Sequence, residues 1–281
     1  MDAVTFFVIL ASALAYALLN CFLKSRADPL TGALAMAVSG GVVALPVLYF
    51  TGLPELEALP FILVSDLIGL FYWFYLGKAY SSDDVGVIFP LAHGISPILT
   101  LFATSLIINE VPDPSQLLLI LTIVTGIFIV LLSGTDFAAL RDHQTLLNAG
   151  VIAVATSAFT IVDGIGVRHA SSAASYGALL FVLDGAGMLV FGCLFQRARL
   201  SDALSGQWAI SLVSGVVSIS VYCAALWAMT RAPIALVAAL RESSVLFAAV
   251  MAVLWLKEPL RPGRILGAGI VALGLAFIRL A

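Results

Sequence analysis

Arg241 and Glu242 stand side by side in "AALRESSVLF", inside about twenty otherwise uncharged residues. A charge at the centre of a membrane helix costs about 2.5–3.5 kcal/mol on insertion scales, so one kept there faces protein or a wet cavity and marks a functional site. Adjacent residues project about 100° apart around a helix, so the two cannot simply neutralise each other and each needs its own partner. The other ionisable groups in apolar stretches are Asp66, His93, Asp163 and Asp184. Arg241 suits an anion, because its forked donors match a carboxylate or phosphonate. His93 and Glu242 suit a proton that is bound and released. The alternative for Arg241 and Glu242 is a fixed strut paired with Asp163 or Asp184, and for His93 a satisfied hydrogen-bonding group. Asp66 lies near a helix end within reach of solvent, and Asn20 and Asp163 also sit toward helix ends, as caps or gates.

Aromatic residues form a second cluster. "FYWFYLGKAY" supplies Tyr72, Trp73, Tyr75 and Tyr80, and a later stretch supplies Tyr222 and Trp227. Most suit interfacial belts and helix packing. Tyr75, Tyr222 and Trp227, with Ser244, are expected to line a site beside His93. Pro90 and Pro97 release backbone carbonyls and loosen the helix that carries His93.

What must position these groups follows from composition. The 281 residues are 62% hydrophobic and 10% charged, with a mean hydropathy of +1.13. Ordinary soluble domains are about half apolar and a quarter charged, so lipid is the solvent here. A net charge of −3 without a basic run gives no footing for nucleic acid. Cys21, Cys193 and Cys223 are scattered through apolar segments and read as small hydrophobes. No metal-ligand spacing, HExxH or P-loop occurs, so neither a cofactor nor a metal is expected, and the chain does not read as an enzyme. The N-terminal apolar run lacks a positive n-region and is read as a membrane span.

A helix needs roughly 17–25 apolar residues to cross a bilayer. Ten stretches qualify, at about 3–24, 30–51, 60–80, 85–108, 116–134, 147–167, 175–196, 207–229, 233–256 and 263–280. The chain also repeats itself: a shift of 148 residues lays Glu110 on Glu258, Pro114 on Pro262 and Gly126 on Gly274. With a one-residue slip Val85 falls on Ile234, Leu91 on Leu240 and His93 on Glu242, and the first span matches the sixth at a separate offset, with Tyr16 on Phe159 and Asn20 on Asp163. The fold class is therefore all-α and membrane-embedded, with ten transmembrane helices as two five-helix repeats. Residues 1–135 form the first, 136–146 a polar linker and 147–281 the second. An odd number of spans per half inverts the second half, the architecture of many alternating-access transporters, with a substrate site at the midplane.

The motifs "FPLAHGISPILTLFATSLIINE" and "VAALRESSVLFAAVMAVLWLKEPL" resemble the drug/metabolite transporter superfamily, most closely its EamA-type branch, and the resemblance covers essentially the whole chain. It implies an exporter or permease of small metabolites. Its cavity would be lined by the first, third and fourth spans and their counterparts, the sixth, eighth and ninth. The seventh span is peripheral in that family, which makes Asp184 structural. The resemblance also implies cytoplasmic termini, whereas Lys24, Arg26, Lys78, Arg141, Arg197, Arg199, Lys257, Arg261 and Arg264 lie on the side away from the termini against Arg168, Arg231 and Arg279 on theirs, a bias that argues the opposite way, so both orientations stay open.

The reading is a secondary active transporter, multi-pass in a bacterial inner membrane. It moves a small polar or zwitterionic metabolite such as an amino acid, with protons as coupling ion, as a monomer or weak homodimer. Arg241 holds the anionic end, while Glu242 and His93 share a proton or an ammonium group. A permease for a phosphonate or similar organic anion is the nearest alternative. A membrane accessory protein without transport activity is the alternative of another class.

Overall fold

The computed structural model describes residues 1–24, 29–79, 85–134, 142–205, 208–245, 247, 251 and 262–277. These residues form eleven α-helices and no strand: α1 (Ala3–Lys24), α2 (Pro29–Thr51), α3 (Leu59–Ala79), α4 (Val85–Ile107), α5 (Pro114–Gly134), α6 (His143–Gly166), α7 (Ala173–Phe195), α8 (Arg197–Ser205), α9 (Trp208–Met229), α10 (Ile234–Arg241) and α11 (Pro262–Phe277). Five of them contain segments long and apolar enough to cross a membrane: Leu30–Thr51, Pro114–Ser133, His143–His169, Ala173–Phe195 and Trp208–Met229. Shorter apolar segments run over Ala3–Leu18, Leu59–Trp73, Leu91–Ile107 and Ile265–Ala276.

The packing is inside-out relative to a water-soluble bundle. Large apolar side chains such as Tyr49 (83% exposed) and Phe50 (84%) point outward. Small side chains line many of the helix contacts, as expected where lipid removes the hydrophobic drive between helices and close approach must replace it. α2 lies on α7, and a Cβ on Gly185 would come within 2.8 Å of the Gly41 Cα. α11 lies on α5 in the same manner, with Gly267 against the Gly126 carbonyl and Gly263 against Ser133. Both pairs join elements that the repeat makes equivalent, so the halves meet through like surfaces around a pseudo-twofold. α6 packs on α3 and α4, and α9 on α1 and α2, closing the ring.

Three boundaries differ from the sequence expectation. α6 begins at His143, inside the stretch read as linker, because Asp142 caps it: its carboxylate accepts from the Thr145 N–H at 2.8 Å. Those hydrogen bonds hold the Asp142 carboxyl below the usual carboxylate range. The remainder of the linker, 136–141, lies outside the described residues. Second, "QRARLSDALSG", read as a separator, contains α8. Its Leu200 and Ala203, one turn apart, are buried, Leu200 over Gly192 and Ala203 beside Leu30 and Leu34.

The third difference bears on the site. The ninth span, expected as one helix over 233–256, is broken. α10 ends at Arg241, and Glu242 and Ser243 form a turn before helical residues resume at Ser244. Ser243 N–H bonds to the Leu240 carbonyl at 3.1 Å and Val245 N–H to the Glu242 carbonyl at 3.0 Å, the tighter three-residue spacing of a 3₁₀ turn. The break falls on the adjacent charges.

At its other end α10 is held by a residue from the first half. Pro233 is the N-cap and has no side-chain acceptor to offer. Glu110 supplies one, its Oε2 accepting from the Ile234 N–H at 2.7 Å, while its Oε1 accepts from Arg168 Nη2 at 2.8 Å. Arg168 Nε also donates to the Met229 carbonyl at 2.9 Å. Asn109 makes this possible by adopting φ 53°, a left-handed conformation Asn tolerates, which turns Glu110 back onto the end of α4.

Candidate functional site

A cavity of about 200 Å³ lies at mid-height between the halves, walled by α1, α2, α3, α4, α6, α7, α9 and the broken α10. The helix break delivers Arg241, Glu242 and Ser244 to its wall. Discontinuous helices at midplane are the recurring way in which transporters build ligand sites, because irregular backbone survives in a membrane only against protein or a wet cavity. Arg241, in the last turn of α10, also meets that helix's negative end.

His93 of α4 faces Glu242 across the cavity. Its Nδ1 lies 3.1 Å from one carboxylate oxygen and 3.2 Å from the other, hydrogen-bond distance to both, so ring and carboxylate can share a proton. The repeat places these two residues at equivalent positions, and the pseudo-twofold brings them into contact. Arg241 lies with its guanidinium 5.3 Å from the centre of the Tyr222 ring, a cation–π distance. Tyr222 also lines the cavity.

Asp163 stands behind this wall and is only 1% exposed. Tyr176 donates to its Oδ1 at 2.9 Å, Tyr222 donates to its Oδ2, and Ser65 donates as well. Arg241 is near enough to attract it. Asp163, in the last turn of α6 as expected, therefore lies within a hydroxyl cradle linking α3, α6, α7 and α9. Tyr176, fully buried, had no signal in the sequence beyond an apolar neighbourhood.

Other expected site residues are placed elsewhere. Tyr75 is not brought to the cavity wall; its hydroxyl donates to Asn148 Oδ1 at 3.2 Å, between α3 and α6. Trp227 is also away from the wall, and its ring lies 4.5 Å from the Arg231 guanidinium. The side chain of Asn20 lies outside those described. Conversely, Asp66 and Asp184, read from the sequence as a solvated helix end and a structural group, both line the cavity. Asp66 is two turns inside α3, and α7 packs on α2, α3 and α9 rather than standing apart. A signal was available for Asp184, which lies near the middle of its span. Among the described residues no three His, Cys, Asp or Glu side chains converge as metal ligands.

The EamA-like transporter family model matches residues 3–132 and 145–280. The chain belongs to the EamA-like transporter family. It is thus a multi-pass membrane protein of the drug/metabolite transporter type, and the two matched segments agree with the inverted repeat. No curated protein matches the chain. Among solved structures 29 chains match. One crystal structure of a protein superposes with a TM-score of 0.77 at 16% identity, covering 100% of this chain and 98% of that one, a likeness of fold.

Proposed function

We propose that the protein is a secondary active transporter of a small zwitterionic metabolite such as an amino acid, working by alternating access. Ten spans in two inverted halves, 1–135 and 147–281 joined through 136–146, would rock about the cavity in a bacterial inner membrane. The observation that carries this reading is the broken α10, which ends at Arg241 and presents Arg241, Glu242 and Ser244 to the midplane cavity. Arg241 holds the solute's carboxylate with its forked donors. Tyr222 and Ser244 complete that end. The His93–Glu242 pair binds the coupling proton: protonation of the pair changes the charge between the halves, which is the bias an alternating-access cycle requires. Asp163 acts through Tyr222 and Arg241 as a positioning residue.

A permease for a phosphonate or other dianion is less well supported, because Asp66, Asp184 and Glu242 face the same cavity and would repel a second negative charge. The test is ligand-induced stabilisation of the detergent-purified protein against a panel of amino acids and phosphonates. An amino acid should raise the melting temperature of the wild type and not that of Arg241→Ala. Equal stabilisation of both proteins removes Arg241 from the site, and stabilisation by phosphonates alone favours the dianion.

A further inference from the structure

The cavity holds more negative charge than its own cations answer. Its basic groups among the described residues are Arg241 and His93. His93 is taken up by Glu242, and Arg241 is attracted to Asp163 behind the wall. Asp66 and Asp184 line the same cavity, close enough to interact, and neither forms an ion pair with a cation among the described residues.

Their placement is built into the helices. Asp66, Gly69 and Trp73 fall at spacings of three and four on α3, so they share one face, and that face meets α7 at Asp184. Gly69 lies beside Asp184: a Cβ there would be 4.0 Å from its carboxylate, ordinary contact distance. The Trp73 indole N–H donates to Asp184, and the two carboxylates are close enough to repel. Asp66 Oδ1 is buried and has no hydrogen-bond partner. A second polar group on the cavity wall is also unsatisfied. Thr156, on α6, is only 8% exposed, and its hydroxyl has no partner. Buried polar groups are almost always satisfied, and a carboxylate left unpaired in a low-dielectric interior is costlier still. Two neighbouring carboxylates, one with a buried oxygen that accepts from no donor, and a buried hydroxyl on the same cavity wall suit a positively charged hydrogen-bond donor.

Resting on the transporter reading, we infer that Asp66 and Asp184 form the ammonium subsite of the cavity, so that the substrate is an organic cation or an amino acid with a cationic side chain. The solute's amine docks between the two carboxylates, replacing the hydrogen bonds it loses from water, with Thr156 as a further acceptor along the cavity. Its carboxylate, where it has one, lies toward Arg241. The His93–Glu242 pair is thereby left free of substrate, available to the proton alone.

Two measurements test this. The first labels wild-type protein with a hydrophobic carbodiimide and reads modification at Asp66 and Asp184 by peptide mass spectrometry, in the presence of L-lysine, 1,4-diaminobutane, L-norleucine or hexanoate. Lysine and diaminobutane should protect both carboxylates, norleucine less, and hexanoate not at all. Labelling that no ammonium solute reduces, or that sodium chloride at equal ionic strength reduces as much, overturns the subsite. The second measures lysine affinity by quenching of tryptophan fluorescence, with Asp66→Asn and Asp184→Asn checked for monodispersity. Each should weaken lysine on the order of thirtyfold, the loss that follows removal of one partner of a buried charge pair. Norleucine should weaken much less. If amino acids bind in an Arg241-dependent way but ignore both asparagine variants, the subsite is wrong while the transporter reading stands. If no amino acid or amine binds at all, both fail.

Discussion

Tyr176→Phe isolates the Asp163 cradle, because it removes a single oxygen and keeps the ring. Tyr176 is 0% exposed, so water cannot take the place of its hydroxyl. The lost bond spans 2.9 Å from a phenol to a carboxylate, and hydrogen bonds to charged groups contribute about 1.5–3 kcal/mol. Asp163 keeps Tyr222 and Ser65 as donors, which sets the expectation near the lower end, about 2 kcal/mol. For chains of this size 1 kcal/mol moves the melting temperature by about 2 °C, so Tyr176→Phe should melt about 4 °C below wild type. The assay is thermal unfolding in one detergent at one scan rate, with Tyr49→Phe as reference, since Tyr49 is 83% exposed. Combining Tyr176→Phe with Asp163→Ala should cost less than the two separately, because both delete the same bond. Tyr222→Phe should lose a similar amount of stability and also weaken ligand binding, because the lost hydroxyl ties to Asp163 the ring that lies beside Arg241 on the cavity wall. Tyr176→Phe should leave binding nearly unchanged. A Tyr176→Phe protein that melts with the Tyr49→Phe reference would refute the cradle.

Two further substitutions test the frame around the site. Gly185→Ala puts a methyl 2.8 Å from the Gly41 Cα and should cost about 1–3 kcal/mol, whereas Gly150→Ala meets nothing within 4 Å and should be neutral or slightly stabilising. Thermal unfolding of the two variants side by side decides it; equal melting would mean that the α2–α7 contact is looser than described. Glu110→Gln weakens acceptance from both Arg168 and the start of α10, at a partly exposed position, and should cost about 1–2 kcal/mol. Hydrogen exchange should rise at Ile234 and Ala235, and an unchanged exchange pattern there would show that Glu110 does not anchor α10.

Much of this architecture could be read from the chain. Where the bilayer alone fixed the answer, as at α1 through α5, apolar length and turn residues located the helices to within one or two positions. The repeat went further, since pairing His93 with Glu242 in register anticipated two side chains that meet at 3.1 Å from 149 residues apart. Hydropathy could not foresee the break at Glu242, because the residues on both sides are as apolar as an unbroken helix. Only the charges themselves signalled it, and they signalled depth without revealing backbone. Asp66 and Asp184 were misjudged for a related reason. Sequence gives the height of a residue along its span but not the face it presents, and α7 faces inward at Asp184 because glycines let α2 approach it. Tyr75 and Trp227 show the converse: aromatic residues at the right height that pack against neighbouring helices or cations instead of the cavity.

The central claim is that the midplane cavity carries an amino-acid-sized solute from one side to the other through Arg241. Counterflow in proteoliposomes measures this most directly: vesicles loaded with an unlabelled amino acid are diluted into a trace of the same labelled solute, and accumulation is followed with time. Wild-type protein should accumulate label transiently for at least one zwitterion, with Arg241→Ala falling to the level of empty vesicles while remaining folded. Accumulation by Arg241→Ala equal to that of wild type would contradict the account.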